Sequence, residues 1–275
     1  MGKDTVKKPL NGFTLIELLV VIAVIALLLS ISLPSLRRAR EAGQRITCLS
    51  HLKALASIVH LYAAENDNKV PSGDTEGPLA WVNHAGGLAY YNIDTDPILE
   101  NEQKEAIRRG LLWPYAGQGL EVFRCPTSRL GQARSYSMPD SFNYTNLGLL
   151  AISGAPANLL ITNLAGVRNS AGRMLFIDEG WATPTSWSIM FKTQQWWDIV
   201  PERHAAGTTL AFIDGHAEYW KWVDERTRAF AKEAAALNNP NDATYWRKLE
   251  PGNEDITRLV TAVWGHVGWT ENDRR

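Results

Sequence analysis

Hydrophobic and polar positions divide this chain into three stretches. Residues 13–33 read FTLIELLVVIAVIALLLSISL, with 15 of 21 positions Leu, Ile, Val or Phe. As a helix the run is roughly 31 Å long, which matches the hydrocarbon thickness of a bilayer. At about −0.3 to −0.6 kcal/mol each, those side chains contribute roughly −4.5 to −9 kcal/mol toward insertion. Glu17, the one ionisable residue inside, costs on the order of 3 kcal/mol at the centre and less near an end, so insertion wins. Beyond Pro34 the period becomes amphipathic. Leu36, Ala39, Ala42, Ile46, Leu49, Leu52, Leu55, Val59 and Tyr62 recur three and four apart, which predicts a helix continuing to Glu65. Asn66, Asp67, Asn68, Pro71 and Gly73 then end it.

The third stretch is mixed. Residues 96–110 predict a helix, with Pro97 in its first turn and Gly110 beyond its end. Short strands are predicted at 122–123, 135–138 and 173–177. The run 208–223, TTLAFIDGHAEYWKWV, predicts an antiparallel hairpin with a two-residue turn at Asp214 and Gly215. A helix at 224–237 and a linker at 238–242 follow. Ile256, Leu259, Val260, Val263 and Trp264 then form a last helical stripe behind Asn253 as its cap. The fold class expected is α+β: a long N-terminal helix packed on a small antiparallel sheet, with added C-terminal helices.

Composition narrows the function. The chain has 275 residues, 45% hydrophobic and 21% charged, values of a folded protein. A net charge of −1 provides no field for a nucleic-acid backbone, and two cysteines cannot form a four-thiolate zinc site. No GxSxG, HExxH or phosphate-loop motif occurs, and neither cysteine has a catalytic context, so an enzyme is not expected. An exported hydrolase would rest on scattered acids alone.

The N-terminal run is not a signal peptide, because its apolar core is too long and residues 30–34 lack a small-residue cleavage site. A plain anchor explains its length but not Glu17. Gly12, Phe13, Thr14, Leu15, Ile16 and Glu17 together resemble the processing site of a type IV prepilin. That resemblance implies cleavage after Gly12, N-methylation of Phe13, and Glu17 as the fifth mature residue. It also places Pro34 where pilins and pseudopilins commonly carry a helix-weakening proline. A membrane-buried carboxylate needs a partner, and the α-amino group of a neighbouring subunit can supply one.

Further along, the CLSHLK segment at Cys48 and the Tyr62 to Asn66 turn resemble the post-anchor helix of a pseudopilin-like family common in planctomycetes. Arg124, Cys125 and Pro126 resemble that family's RCP element. The resemblance implies a disulfide between Cys48 and Cys125, worth roughly 4 kcal/mol on a chain-entropy model. His204 and the Asp214, Gly215 pair, with nine residues between them, resemble the H-X9-DG signature of prepilin-type proteins of the same group.

Two readings of that signature stand side by side. In one, Asp214 and Gly215 make a structural turn and His204 caps or packs against a strand, with no metal and no cofactor. In the other, His204 and Asp214, joined by Asp178 or Glu179, hold calcium or another cation. The tryptophans, crowded between Trp181 and Trp269, fill a core or interface, or else form a glycan-stacking face to which Trp220 and Trp222 contribute.

The expected organisation is a leader (1–12), a transmembrane helix (13–33), an amphipathic stalk (34–66), an α+β head (67–223) and a helical C-terminal extension (224–275). The expected function is a pseudopilin or minor pilin of a type IV filament or type II secretion machine. Its implied partners are prepilin peptidase, the inner membrane and other pilin or pseudopilin subunits, and no nucleic acid. The implied location is a single pass of a bacterial inner membrane, with the head on the periplasmic or extracellular side. The alternative is a membrane-anchored module that binds glycan or another ligand through a Trp-rich head.

Overall fold

A computed structural model of the chain describes residues 15–84, 98–117, 119–128, 131–143, 147–179, 186–236 and 248–270. Helix α1 spans Leu15–Glu65 and continues through Pro34. Pro34 has no N–H to give the Ser30 carbonyl, so one rung of the helical ladder is missing there. The chain divides into two compact units, Met1–Gly43 and Gln44–Arg275. In the first, the long apolar run of the helix is exposed, with Leu15 at 78% and Ile31 at 69% of full accessibility.

The second unit holds the rest of α1, a four-stranded sheet and the remaining helices. Strands β1 (Tyr136–Ser137), β2 (Met174–Asp178), β3 (Gly207–Phe212) and β4 (Ala217–Lys221) lie in that spatial order, each antiparallel to its neighbour. Helices α2 (Ile98–Arg109) and α3 (Leu147–Ser153) lie between α1 and β2 in the chain, and α4 (Glu225–Ala236) and α5 (Glu254–Trp264) follow β4.

Both faces of the central strands are buried, so β2 and β3 read as continuous apolar or small runs instead of alternating ones. Along β3 and its exit the faces still alternate. Leu210 and Phe212 join one core with Trp222, Phe230, Ile256 and Trp264, whereas Ala211 and Ile213 join the other with Leu52, Leu55 and Val59 of α1. In β2 the register shifts between Met174 and Phe176, and this bulge puts Leu175 and Phe176 together on the α1 side. The C-terminal helices therefore share a core with the sheet and do not stand apart as an appendage.

On α1 the buried positions Cys48, Leu52, Leu55, Val59 and Tyr62 form the stripe facing this core. Ile46, expected on that stripe, is exposed, and Cys48 takes its place. Two histidines on the helix tie it further: His51 Nδ1 meets Arg124 O at 2.9 Å and His60 Nε2 meets Ile213 O at 2.6 Å.

Other expectations shift. Residues 121–123 form a 3-10 turn, not a strand, because no neighbouring strand supplies the ladder that so short a segment needs. The hairpin loop is longer than two residues: Phe212 N–H donates to His216 O, and Gly215 takes φ +92°. That is the three-residue loop whose last position needs the left-handed region.

Asn253 caps α5, accepting from the N–H groups of Asp255 and Ile256, and its amide donates to Glu250 Oε2 and Thr227 Oγ1. Asn253→Ala removes the cap and leaves fully buried partners unmet, so it should cost about 1–3 kcal/mol. A urea titration of the detergent-solubilised chain, followed by tryptophan fluorescence, checks this; an unmoved midpoint would contradict it.

Candidate functional site

Two regions carry chemistry. The first is the N-terminal part of α1. Among the described residues, α1 is the one helix long and apolar enough to cross a membrane, by length and composition. Glu17 lies in its first turn and Pro34 within it. Gly12 and Phe13 lie outside the described residues.

The second region lies between the C-terminal part of α1 and the sheet. Cys48 from α1, Cys125 from the RCP loop, Asp178 from the end of β2 and His204 from the turn before β3 converge there. All four are buried, and their ligating atoms lie within 4.8 Å of one another. Cys125 Sγ is 3.2 Å from His204 Nε2 and 3.0 Å from Thr127 Oγ1. Cys48 Sγ is 2.9 Å from Thr209 Oγ1, 3.9 Å from Asp178 Oδ2, and accepts from the Tyr136 hydroxyl at 3.0 Å. Asp178 Oδ1 is taken by Arg203 Nη1 at 2.7 Å, and Thr208 Oγ1 donates to the Asp178 carbonyl. His204 Nδ1 is buried without a hydrogen-bond partner among the described residues.

The backbone reaches unusual conformations to place His204. His204, Ala205 and Ala206 have φ of 52°, 69° and 63°, a run of left-handed residues costing about 1–2 kcal/mol each. Its neighbours hold it. Arg203 and Gly207 exchange backbone hydrogen bonds across the turn, Trp222 N–H donates to Ala206 O, and the Tyr219 hydroxyl donates to Ala205 O. Gly207 is required at its exit, since a Cβ there would lie 2.3 Å from Trp220 O.

Electrostatics follow burial. Burial raises the Cys48 thiol, whereas Cys125 is lowered, first by the hydrogen bond from Cys48 and then by His204 and Arg203. Burial pushes the Asp178 carboxyl up to about 7 against the pull of Arg203. Burial opposes charge on Arg203 as well, but Asp178 and the cysteines hold it above its ordinary value.

The expected Cys48–Cys125 disulfide is not formed: both cysteines are free thiols, each engaged with hydroxyl or imidazole partners. Of the expected cation set, His204 and Asp178 come together. Asp214 does not, because it sits in the hairpin loop at the far end of β3, bound to His216 Nδ1 at 2.5 Å. Glu179 is turned to the Ser137 hydroxyl. Trp220 and Trp222 do not share an exposed strand face. Trp81, Trp187, Trp196, Trp222 and Trp264 are fully buried, Trp222 lies past the end of β4, and Trp220 is half-buried under the Arg258 guanidinium at 4.3 Å. Trp181 and Trp246 lie outside the described residues.

Residues 9–33 match the family model of the prokaryotic N-terminal methylation motif. Over 81 residues the chain is 32% identical to the competence protein ComGC of Halalkalibacterium halodurans, an alignment covering 28% of this chain and 79% of that protein. The chain belongs to the type IV pilin-like family. This pilin-like chain is also 34% identical over 62 residues to the ComG operon protein 3 homolog of Bacillus licheniformis, covering 22% of this chain and 64% of that protein. No solved structure matches it.

In this pilin-like head the Arg203–Asp178 pair is nearly dry, with side chains 9% and 0% exposed. Arg203→Met should cost about 3–5 kcal/mol at pH 8, where Asp178 loses the partner of its charged form and must take up a proton or stay unpaired. A carboxyl whose folded pKa lies above its unfolded value favours the folded state when protonated, so its contribution falls as pH rises toward that pKa. Without Arg203 the Asp178 pKa climbs further from about 7, and the loss should be smaller at pH 6 than at pH 8. Urea midpoints at both pH values test it; an equal loss at the two would contradict the assignment.

Proposed function

We propose that the chain is a structural subunit, a pseudopilin or minor pilin, of a type IV filament or a type II secretion pseudopilus. The observation that carries this reading is the exposed apolar helix from Leu15, with a single carboxylate in its first turn, behind Gly12 and Phe13. The helix first inserts in the inner membrane, with the head on the periplasmic or extracellular side. Prepilin peptidase then cuts after Gly12, and Phe13 becomes the methylated N-terminus. Subunits next leave the bilayer sideways and bury their apolar helices against one another, replacing lipid contacts with helix contacts. Glu17 sets the register, because a carboxylate among apolar helices is stable only beside a positive group, and the neighbour's α-amino nitrogen is one. The work is assembly, and no residue of the chain acts as a catalyst.

The mass of the N-terminal peptide from membrane-extracted protein tests the processing step. In cells with prepilin peptidase it should begin at Phe13 and be heavier by one methyl group; in cells lacking the enzyme it should begin at Met1 or Gly2. A peptide that never begins at Phe13 would reduce the chain to a plain anchored protein. Glu17→Val should leave the chain inserted and processed but deplete it from sheared filaments. Filament recovery equal to the unmodified chain would remove Glu17 from the register role.

A further inference from the structure

We propose that Cys48, Cys125, Asp178 and His204 form a binding site for one soft divalent cation, with zinc the best match. Four-coordinate zinc bonds of 2.0–2.3 Å require ligand atoms on tetrahedral edges of about 3.3–3.8 Å. Cys125 Sγ and His204 Nε2 are already 3.2 Å apart, Cys48 Sγ and Asp178 Oδ2 are 3.9 Å apart, and no pair exceeds 4.8 Å. Closing the cage takes side-chain shifts of about 1 Å or less. The donor set is two sulfurs, one imidazole nitrogen and one carboxylate oxygen. Thiolate and imidazole select zinc or a neighbouring transition metal and exclude calcium, which takes oxygen ligands.

Charge supports the assignment. Two thiolates and one carboxylate bring three negative charges into a dry region, and a divalent ion with Arg203 brings three positive ones. Arg203 occupies Asp178 Oδ1 and leaves Oδ2 facing the sulfurs. The outer shell is in place as well. The Tyr136 and Thr209 hydroxyls reach the sulfur of Cys48, and the Thr127 hydroxyl reaches that of Cys125. On His204 the ring is held by its strained turn instead of by a partner on Nδ1. A metal bond to Nε2 would add to the hydrogen bonds that already offset the cost of that turn. The site joins α1 to the RCP loop, to β2 and to the turn before β3, and it does not depend on how the N-terminus is processed.

The test uses the untagged full-length chain, extracted in detergent without reductant or chelator. The expected result is about one zinc per chain by elemental analysis, with both cysteines resistant to alkylation until a strong chelator is added. Exchange with cobalt should give an intense thiolate-to-cobalt absorption band in the near ultraviolet. His204→Ala should weaken zinc binding more than about 100-fold, beyond the loss typical of removing an outer-shell partner. If that variant does not fold, the cobalt spectrum of the unmodified chain decides alone. A metal-free protein with reduced thiols and no cobalt band overturns the proposal. A Cys48–Cys125 disulfide in the isolated chain overturns it too, and would make the pair a covalent cross-link.

Discussion

Burial of one face of α1, from Cys48 to Tyr62, against the sheet is the contact on which the head depends. The sheet is only four strands wide, and β1 has two residues. So small a sheet gains apolar burial when both of its faces are covered. One face is therefore covered by α1 and the other by α4 and α5, which fixes the apolar character of β2 and β3 on both sides. The same helix is apolar all round before Pro34 and striped after Cys48, so one element carries two solvation problems in series. The type IV pilin-like assignment and the architecture of the head meet in that change of pattern.

The polar cluster sits within this packing. Cys48 lies on the buried stripe, and Asp178 and Thr209 point to the same side of the sheet. Burying an aspartate there is tolerable only with Arg203 beside it, and burying Arg203 only with Asp178. The strained turn at His204 has the same logic: its cost is met by the hydrogen bonds that pin it and by what its ring touches.

Much of this was legible beforehand. The spacing of Leu52, Leu55, Val59 and Tyr62 marked the buried face, and Asn253 marked the start of α5. The two runs around Gly215 marked the hairpin, because each signal lies within a few residues of chain. The β2 bulge was not legible, since it depends on how β2 meets β3. The cation set was half legible: Asp178 and His204 were candidates, but the cation reading of the H-X9-DG signature grouped them with Asp214. The fold pairs them with cysteines far away in the sequence instead. Those four positions share no short motif spacing, and only the packing of α1 on the sheet brings them together. Trp220 and Trp222 misled for a simpler reason. Two-residue spacing places side chains on one face only while the strand lasts, and β4 ends at Lys221.

The reach of the α1 contacts has a consequence for the order of events in time. Cys48 meets Asp178 across 130 positions and Thr209 across 161, and His60 meets Ile213 across 153. At about 5–20 residues per second of synthesis, such partners arrive roughly 6–32 s after their contacts on α1. Until β2 and β3 emerge, the sheet cannot cover the stripe on α1, and so many distant contacts make closure slow once they do. A chaperone or a neighbouring protein that shields this stripe during synthesis would act at the stage when aggregation is most probable. Afterwards the sheet would take over that role for the life of the subunit.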